Sequence, residues 1–334
     1  MTDTSPDNGL FNGKAAASPA GGGLQPLSPT ALAVRRFRKH RMAMAGLGIL
    51  IILFLYVALA GNWMKGYCAP IHQEVYGEAW ANCNDTSLKL QPPSAGHPFG
   101  TDVIGRDILA RTVYGGQISM LIGISAAIVE VFLGALVGAL AAYYGGWIDS
   151  ILMRITEAML NIPSLFLLII GAKFFGGKLP SIHLFGRELT GSVMVIILII
   201  GATSWMYLAR IVRANILSLR EQDYVSASRA LGASDTRIIF LHLIPNTVAP
   251  LVVSATLGVA SAIISEAYVS FLGLGVQGAT ATWGNMLDGA YRYLETAPWL
   301  WFFPGTLILL TVLGINFVGD GLRDALDPRS QRHL

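Results

Sequence analysis

The stretch RIVRANILSLREQDYVSASRALGASDTRIIFLHLIPN, from Arg210 to Asn246, is the most polar internal segment of the chain and lies between two long apolar runs. Two sets of its apolar residues recur at the three- or four-residue spacing of an α-helix, namely Val212, Ile216 and Leu219, and then Tyr224, Ala227 and Leu231. We expect Gly232 to end the first helix, because glycine readily adopts the left-handed conformation of a helix C-terminus. Ser234 is placed to cap a second, short helix, which Pro245 is expected to end. The pattern predicts a rigid helix–glycine–helix element on one membrane face, and by itself leaves an ordinary surface loop equally open.

The composition of the whole chain indicates a membrane protein. Of its 334 residues, 53% are hydrophobic and 13% are charged, and the mean hydropathy is +0.56. Soluble domains carry about 25% charged residues. The net charge of +3 is too small to indicate nucleic acid as a partner, so the expected surroundings are membrane lipid.

Six apolar runs are candidate membrane-spanning helices, and they predict an all-α membrane protein. They are Met42–Ala60, Gly116–Tyr144, Ile162–Phe175, Val193–Leu208, Val248–Leu272 and Trp299–Val318. The third run is short for a bilayer and has Pro163 near its start. We therefore expect the membrane-spanning segment to include part of Ile151–Leu160 as well. Ala58-Leu59-Ala60 resembles a signal-peptidase site, but the apolar run before it is longer than a usual signal core.

The distribution of Lys and Arg predicts the orientation. The cluster Arg35-Arg36-Phe37-Arg38-Lys39-His40-Arg41 directly precedes the first span, and positive residues beside spans stay in the cytoplasm. Six spans then place the N and C termini in the cytoplasm, together with the 210–246 stretch. The predicted organisation is a disordered cytoplasmic tail (1–34), a basic anchor with the first transmembrane helix (35–61), an external loop with an interfacial helix (62–114), a membrane core (115–320) and a cytoplasmic C-terminal tail (321–334).

The first external loop contains both cysteines of the chain, Cys68 and Cys83. Outside the cytoplasm they could close a disulfide, which would stabilise the fold by about 3 kcal/mol according to loop-entropy arguments. A pair of idle thiols remains the alternative.

Two carboxylates fall within apolar runs. Glu130 is central in the second run, and Glu266 lies toward the outer end of the fifth. A charge at mid-membrane costs at least about 2.5–3.5 kcal/mol, so such a group faces a bundle interior or a water-filled cavity. Each is either a possible pathway group or a hydrogen-bonded packing group, and the sequence leaves both open.

The residues from Tyr224 to Ser234, followed by His242-Leu243-Ile244-Pro245-Asn246, resemble the EAA loop of bacterial ABC importer permeases, most closely in the dipeptide/oligopeptide branch. Ala227, Gly232 and Pro245 match the family pattern at the right offsets. Departures from the pattern occur at Ser226, Ser228, His242 and Ile244.

Three more stretches are similar to that branch. The F-G-T-D-x-x-G-R-D signature begins at Phe99 and includes Gly100, Thr101, Asp102, Gly105, Arg106 and Asp107; the other two stretches are Glu266–Gly275 and Gly319–Pro328. From the residues alone, the signature predicts only an interfacial helix, in which Ile104, Ile108 and Leu109 share one face.

The resemblance implies a type I ABC importer permease fold in the bacterial inner membrane. It implies contact with an ATPase through Tyr224, Ala227, Arg229, Leu231, Gly232, Ala233, Ser234 and Asp235. The implied partners are a second homologous permease subunit, two ABC ATPase subunits and an extracytoplasmic substrate-binding protein. ATP and Mg belong to the ATPases; this sequence has no G-x-x-x-x-G-K-[ST] motif, and no cofactor, metal or catalytic residue is expected.

Di- or oligopeptides are the implied cargo. The same fold could carry a nickel chelate, a sugar or an antimicrobial peptide. A different class, a secondary transporter coupled to an ion gradient, would use Glu130 as a proton site and inverted repeats, but no internal repeat is found.

Overall fold

The computed structural model describes residues 28–64, 81, 83–175, 178–184, 187–276 and 280–327. Nearly all of the described chain is helical, which confirms the predicted class. The helices are α1 (Pro29–Lys39), α2 (Arg41–Met64), α3 (Ile108–Tyr144), α4 (Gly146–Leu160), α5 (Ser164–Phe175), α6 (Gly191–Leu219), α7 (Asp223–Ala230), α8 (Asp235–Arg237), α9 (Ile244–Asn246), α10 (Val248–Phe271), α11 (Trp283–Met286) and α12 (Trp299–Leu326). Shorter elements are the 3₁₀-helices Thr86–Leu88 and Ala290–Tyr293, the π-helix Ile238–Leu243 and the antiparallel strands β1 (Ile182–Leu184) and β2 (Arg187–Leu189), in which Ile182 pairs with Leu189.

Five described helices are long and apolar enough to cross a membrane: α2, α3, α6, α10 and α12. The predicted third span is a broken one. Helix α4 contains all of Ile151–Leu160, but α5 leaves it at an angle of 84°, so the pair counts as a sixth span only if a bent span is accepted. The break lies at Pro163, because a proline disfavours helical backbone in the residue before it.

The centre of the bundle is the contact between α3 and α6. Small residues of α3 bring the two helices together: a Cβ placed on Gly134 would lie 2.8 Å from Cγ of Leu208, and one on Gly138 would collide with the backbone of Ala209. These glycines therefore allow close packing inside the bundle.

The predicted disordered tail, residues 1–34, is too long, because its last residues are helical. Helix α1 begins at Pro29, and the Ser28 side chain caps it by accepting a hydrogen bond from the Ala31 N–H (3.2 Å). Serine before a proline at the first helical position is a helix start that composition alone does not reveal. Residues 1–27 lie outside the described chain.

The interfacial helix expected around Gly100 to Leu109 is not formed before Ile108. Gly100 and Gly105 have φ angles of +77° and +83°, which belong to turns rather than to a helix. Asp102 stabilises the second turn: its Oδ1 accepts the N–H of Arg106 (2.9 Å), and its Oδ2 accepts the Arg106 Nε–H (2.6 Å).

The end of the same signature starts α3. Asp107 is the N-cap and accepts the Ala110 N–H (2.8 Å), while its second oxygen contacts Nδ1 of His97 (2.8 Å). Thr101 pairs with Asp107 in an isolated bridge and donates its hydroxyl to the Leu88 carbonyl. The signature residues thus fold the chain before Ile108 onto the N-terminal end of α3.

Cys83 is disulfide-bonded, whereas Cys68 lies outside the described residues, so their pairing stays a prediction. If they pair, the purified protein will contain no alkylatable thiol until it is reduced, and two thiols afterwards. Mass measurement after iodoacetamide treatment, with and without dithiothreitol, checks this. Two free thiols in the unreduced protein would contradict the pairing.

Candidate functional site

The segment from residue 220 to 246, here called the elbow segment, consists of two short helices around a glycine corner. The first apolar set of the sequence pattern continues α6 to Leu219, and α7 follows after a turn. At the end of α7, the Gly232 N–H donates to the Arg229 carbonyl (3.0 Å) and the Ala233 N–H to the Ser228 carbonyl (3.1 Å). With φ of +79° at Gly232, these two bonds form a Schellman motif, which fixes the direction in which the chain leaves the helix.

The second half of the elbow segment begins as predicted and ends differently. Ser234 caps α8, and its Oγ accepts the Arg237 N–H (3.4 Å). Pro245 does not end the helical run, which continues to Asn246. The reason is the π-helix before it: the Ile244 N–H bonds to the Ile239 carbonyl five residues back, so this wider turn accommodates a residue with no N–H and a bulky ring.

The inner face of the elbow segment is a hydrophobic anchor. Val225, Ile238, Ile239 and Leu243 are fully buried, and they pack against the C-terminal end of α3 and the C-terminal half of α6, contributed by Ala139, Ala142, Tyr143, Val212 and Ile216. Burying side chains of this size stabilises a fold by about 1.5–3 kcal/mol each, so the elbow segment is attached firmly to two spans.

Polar contacts reinforce the same attachment. The Tyr143 hydroxyl donates to Oδ1 of Asp235 (2.6 Å), and the Arg229 guanidinium lies 5.7 Å from the centre of the Tyr143 ring. Arg220 donates from Nη1 to the Ala142 carbonyl (2.7 Å), which satisfies an acceptor near the end of α3. These contacts join residues far apart in sequence, and no local pattern could have predicted them.

An ion pair ties α4 to α6 beside the elbow segment. Arg213 donates from Nε and Nη2 to the two carboxylate oxygens of Asp149, both at 2.5 Å. A bidentate pair of this kind fixes relative orientation as well as distance. The ends of α3, α4 and α6 and the elbow segment therefore form one connected unit.

The outer face of the elbow segment is open. The side chain of Leu231, at the tip of the corner, is 89% exposed, and Tyr224 is 39% exposed. The structure brings the predicted contact residues together on or beside this face: Ala227, Arg229, Gly232, Ser234 and Asp235 are exposed, and Ala233 is half-buried. A leucine held in solvent by a rigid corner is suited to insertion into a pocket of a partner.

A second feature, here called the polar groove, lies within the spans and has a volume of about 340 Å³. Glu130 of α3 lines it, together with hydroxyl side chains from α5, α6 and α10, which are Ser164, Thr203, Ser204, Tyr207, Ser254, Ser261 and Ser265. The apolar run around Glu130 predicts a role for this carboxylate, but hydropathy does not reveal the hydroxyls around it. A signal existed, because Ser254, Gly258, Ser261 and Ser265 recur at helical spacing within an apolar run.

Glu266 is a packing group and does not line the polar groove. It is fully buried, accepting hydrogen bonds from the hydroxyls of Ser270 (2.7 Å) and Ser119 (3.2 Å). Ser119 in turn accepts the N–H of Trp283 (3.1 Å). Glu266 therefore joins α3, α10 and α11, and the packing alternative is favoured over a pathway role. Among the described residues, no cluster of three or more His, Cys, Asp or Glu is arranged to hold a metal ion.

Comparison with known families gives two matches. The family described as "binding-protein-dependent transport system inner membrane component" matches residues 131–332. The N-terminal TM domain of oligopeptide transport permease C matches residues 28–93.

Curated relatives match along almost the whole chain. The dipeptide transport system permease protein DppC of Alkalihalophilus pseudofirmus is 39% identical over 303 residues, covering 91% of each chain. The oligopeptide transport system permease protein OppC of Bacillus subtilis is 37% identical over 300 residues, covering 90% of each chain. Among solved structures, the inward-facing MetNI methionine ABC transporter matches with a TM-score of 0.50 at 20% identity, over 64% of this chain and 95% of that chain, which shows a shared fold. This chain belongs to the family of inner-membrane components of binding-protein-dependent transport systems.

Proposed function

We propose that this chain is the permease subunit of an ATP-driven importer of dipeptides or oligopeptides. The names of its relatives supply the cargo class. The observation that carries the proposal is the elbow segment: an exposed apolar tip on a corner anchored to two membrane spans. Such a rigid element can transmit a displacement from a bound partner to the two spans.

The proposed mechanism is a rigid transfer of movement. Two ATPase subunits bind in the cytoplasm, one of them against the elbow segment, and their closure on ATP displaces it. Because Tyr143 is bonded to Asp235, the displacement acts on the end of α3. Glu130 lies 13 residues earlier on α3, about 20 Å away along the helix, so the same movement reshapes the polar groove.

The remaining partners follow from this arrangement. A second, related permease subunit covers the open side of the polar groove, and the cargo passes between the two subunits. A substrate-binding protein delivers the cargo at the external end, near the N-terminus of α3. ATP and Mg stay on the ATPase subunits, and both termini of this chain lie in the cytoplasm.

Reconstitution of the complete importer in proteoliposomes tests the proposal. We expect uptake of a labelled dipeptide or oligopeptide to require hydrolysable ATP and to continue when a protonophore collapses the proton gradient. A length series from two to six residues, with a nickel chelate and a sugar as controls, defines the cargo. Uptake driven by a proton gradient without ATP would refute the proposal, and uptake of only a control cargo would change its cargo class.

A further inference from the structure

The polar groove has one charged residue at membrane depth. Glu130 lies on α3 with more than ten residues of helix on either side, and it is the only charged side chain among the described residues that line the groove. Its carboxylate has no hydrogen-bond or ion-pair partner among the described residues. Glu266, the other carboxylate within a span, has its partners in place, so Glu130 differs by facing open space.

Two of the hydroxyls that line the groove, those of Thr203 and Ser204, have their hydrogens directed away to backbone carbonyls. Thr203 donates to the Ile199 carbonyl (2.8 Å), and Ser204 donates to the Ile200 carbonyl (2.8 Å). A hydroxyl has one hydrogen and two lone pairs, so each of these side chains retains acceptor capacity toward the groove. At these two positions the wall can therefore receive a hydrogen-bond donor.

Space for the carboxylate is provided by α10. A Cβ placed on Gly258 would lie 2.6 Å from Oε2 of Glu130, so any larger residue there would displace the carboxylate. Ser254, Ser261 and Ser265 line the groove on the same face of α10. The carboxylate is thus accommodated opposite a glycine in a row of serines.

We propose that the polar groove recognises a primary ammonium group of the cargo, with Glu130 as its counter-charge. An ammonium group has three donors and no acceptor, which complements a carboxylate and hydroxyl oxygens. In a peptide the ammonium group is either the α-amino terminus or a lysine side chain. This inference rests on the proposed function, since it names the chemical group of the transported peptide that the polar groove recognises.

The chemistry of the groove disfavours other cargo groups. A carboxylate or phosphate of the cargo would meet the like charge of Glu130 in a poorly screening environment. A Ca²⁺ ion takes six to eight oxygen ligands, usually including several carboxylates, whereas the described lining of the groove supplies one carboxylate. A single charge contact is also suited to transport, because the cargo must leave the site as well as enter it.

Uptake by the complete importer gives the first test. The cargoes are a peptide with a free amino terminus, the same peptide N-acetylated, and the N-acetylated peptide with one lysine. Each is presented on a saturating concentration of preloaded binding protein, so that the selectivity of that protein does not decide the result. We expect the wild type to transport the free peptide about 10- to 100-fold faster than the acetylated one, the range that a hydrogen bond to a charged group contributes.

Variants of Glu130 test whether this residue causes the preference for a free amino terminus. Glu130→Gln keeps the shape and should reduce the preference to near unity, whereas Glu130→Asp should retain most of it. Glu157→Gln is a matched control, because Glu157 is exposed on α4 and does not line the groove. If the lysine peptide recovers the fast rate, any primary ammonium suffices; if it does not, the α-amino terminus is required. A Glu130→Gln importer that still prefers the free amine would overturn the proposal.

A second assay works without transport. Ser261→Cys places a thiol in the groove, and we compare its rates of modification by a cationic and an anionic thiosulfonate, with the parent protein as background. We expect the cationic reagent to be favoured and Glu130→Gln to remove the preference. Equal rates with Glu130 present would overturn the ammonium site. An absence of any ATP-driven peptide uptake would instead refute the proposed function, and the reagent rates would still decide the preference of the groove.

Discussion

An importer carrying Leu231→Asp is expected to lose ATP-driven uptake by about 30-fold or more, the effect of removing a residue at the centre of an interface. Leu231 is 89% exposed, so the substitution costs the isolated subunit little stability. In the assembled importer, the same position would bury an unpaired carboxylate in an apolar pocket. The measurements are peptide uptake in proteoliposomes and the amount of ATPase that copurifies with the permease.

Leu294→Asp is the matched control for this substitution. Leu294 is also an exposed leucine, but it follows the 3₁₀-helix Ala290–Tyr293, far from the elbow segment. It should leave ATPase copurification unchanged. If Leu231→Asp retains both uptake and ATPase binding, the elbow tip is not the point of contact.

Gly232→Val should reduce uptake about 5- to 30-fold, the factor that corresponds to 1–2 kcal/mol. A Cβ on Gly232 would meet no atom within 4 Å, so there is no clash. The cost is conformational: φ is +79°, and a residue with a side chain pays about 1–2 kcal/mol to remain in the left-handed region. Valine is β-branched and is poorly tolerated there. It would favour other backbone conformations, which would change the direction in which the chain leaves α7.

Two further variants separate strain at the corner from general instability. Gly232→Asn should keep most of the uptake, because asparagine adopts left-handed backbone more easily. Gly289→Val applies the same strain, with φ of +70° and open space, to a turn that is not part of the elbow segment. It should not weaken ATPase binding. Equal uptake by Gly232→Val and wild type would show that the corner does not need to be rigid.

The elements predicted most accurately depend on local backbone rules. Gly232 at a left-handed corner and Ser234 at a helix start follow from a few adjacent residues. Two predictions were wrong: the interfacial helix before Ile108, and the end of the second short helix at Pro245. The first rested on too few residues for a reliable periodicity, and the second did not allow for a π-helix before the proline. Three apolar residues indicated a helix where Asp102 and two glycines form turns, and a π-turn allowed the helix to pass Pro245.

The functional geometry could be predicted only in part, because its contacts join distant parts of the chain. The exposed face of the elbow segment was recognisable from its motif. Its attachment through Tyr143 and Asp235 links residues 92 positions apart. The polar groove likewise needs side chains from four helices, and hydropathy assigns those helices without giving their mutual rotation.

In the proposed mechanism, the length of α3 would allow it to act as a lever with one fixed end. Its 37 residues extend about 55 Å, well beyond the roughly 30 Å of a bilayer core. Near its start, the Trp283 indole donates to the Thr112 carbonyl (2.8 Å), and this contact would be the pivot in the proposed mechanism. Glu130 is about 27 Å and Tyr143 about 47 Å from that pivot, so a sideways movement at Tyr143 would reach Glu130 reduced to about three fifths. The position of Glu130 along α3 would therefore set how far the groove moves for a given displacement of the helix end by the ATPase.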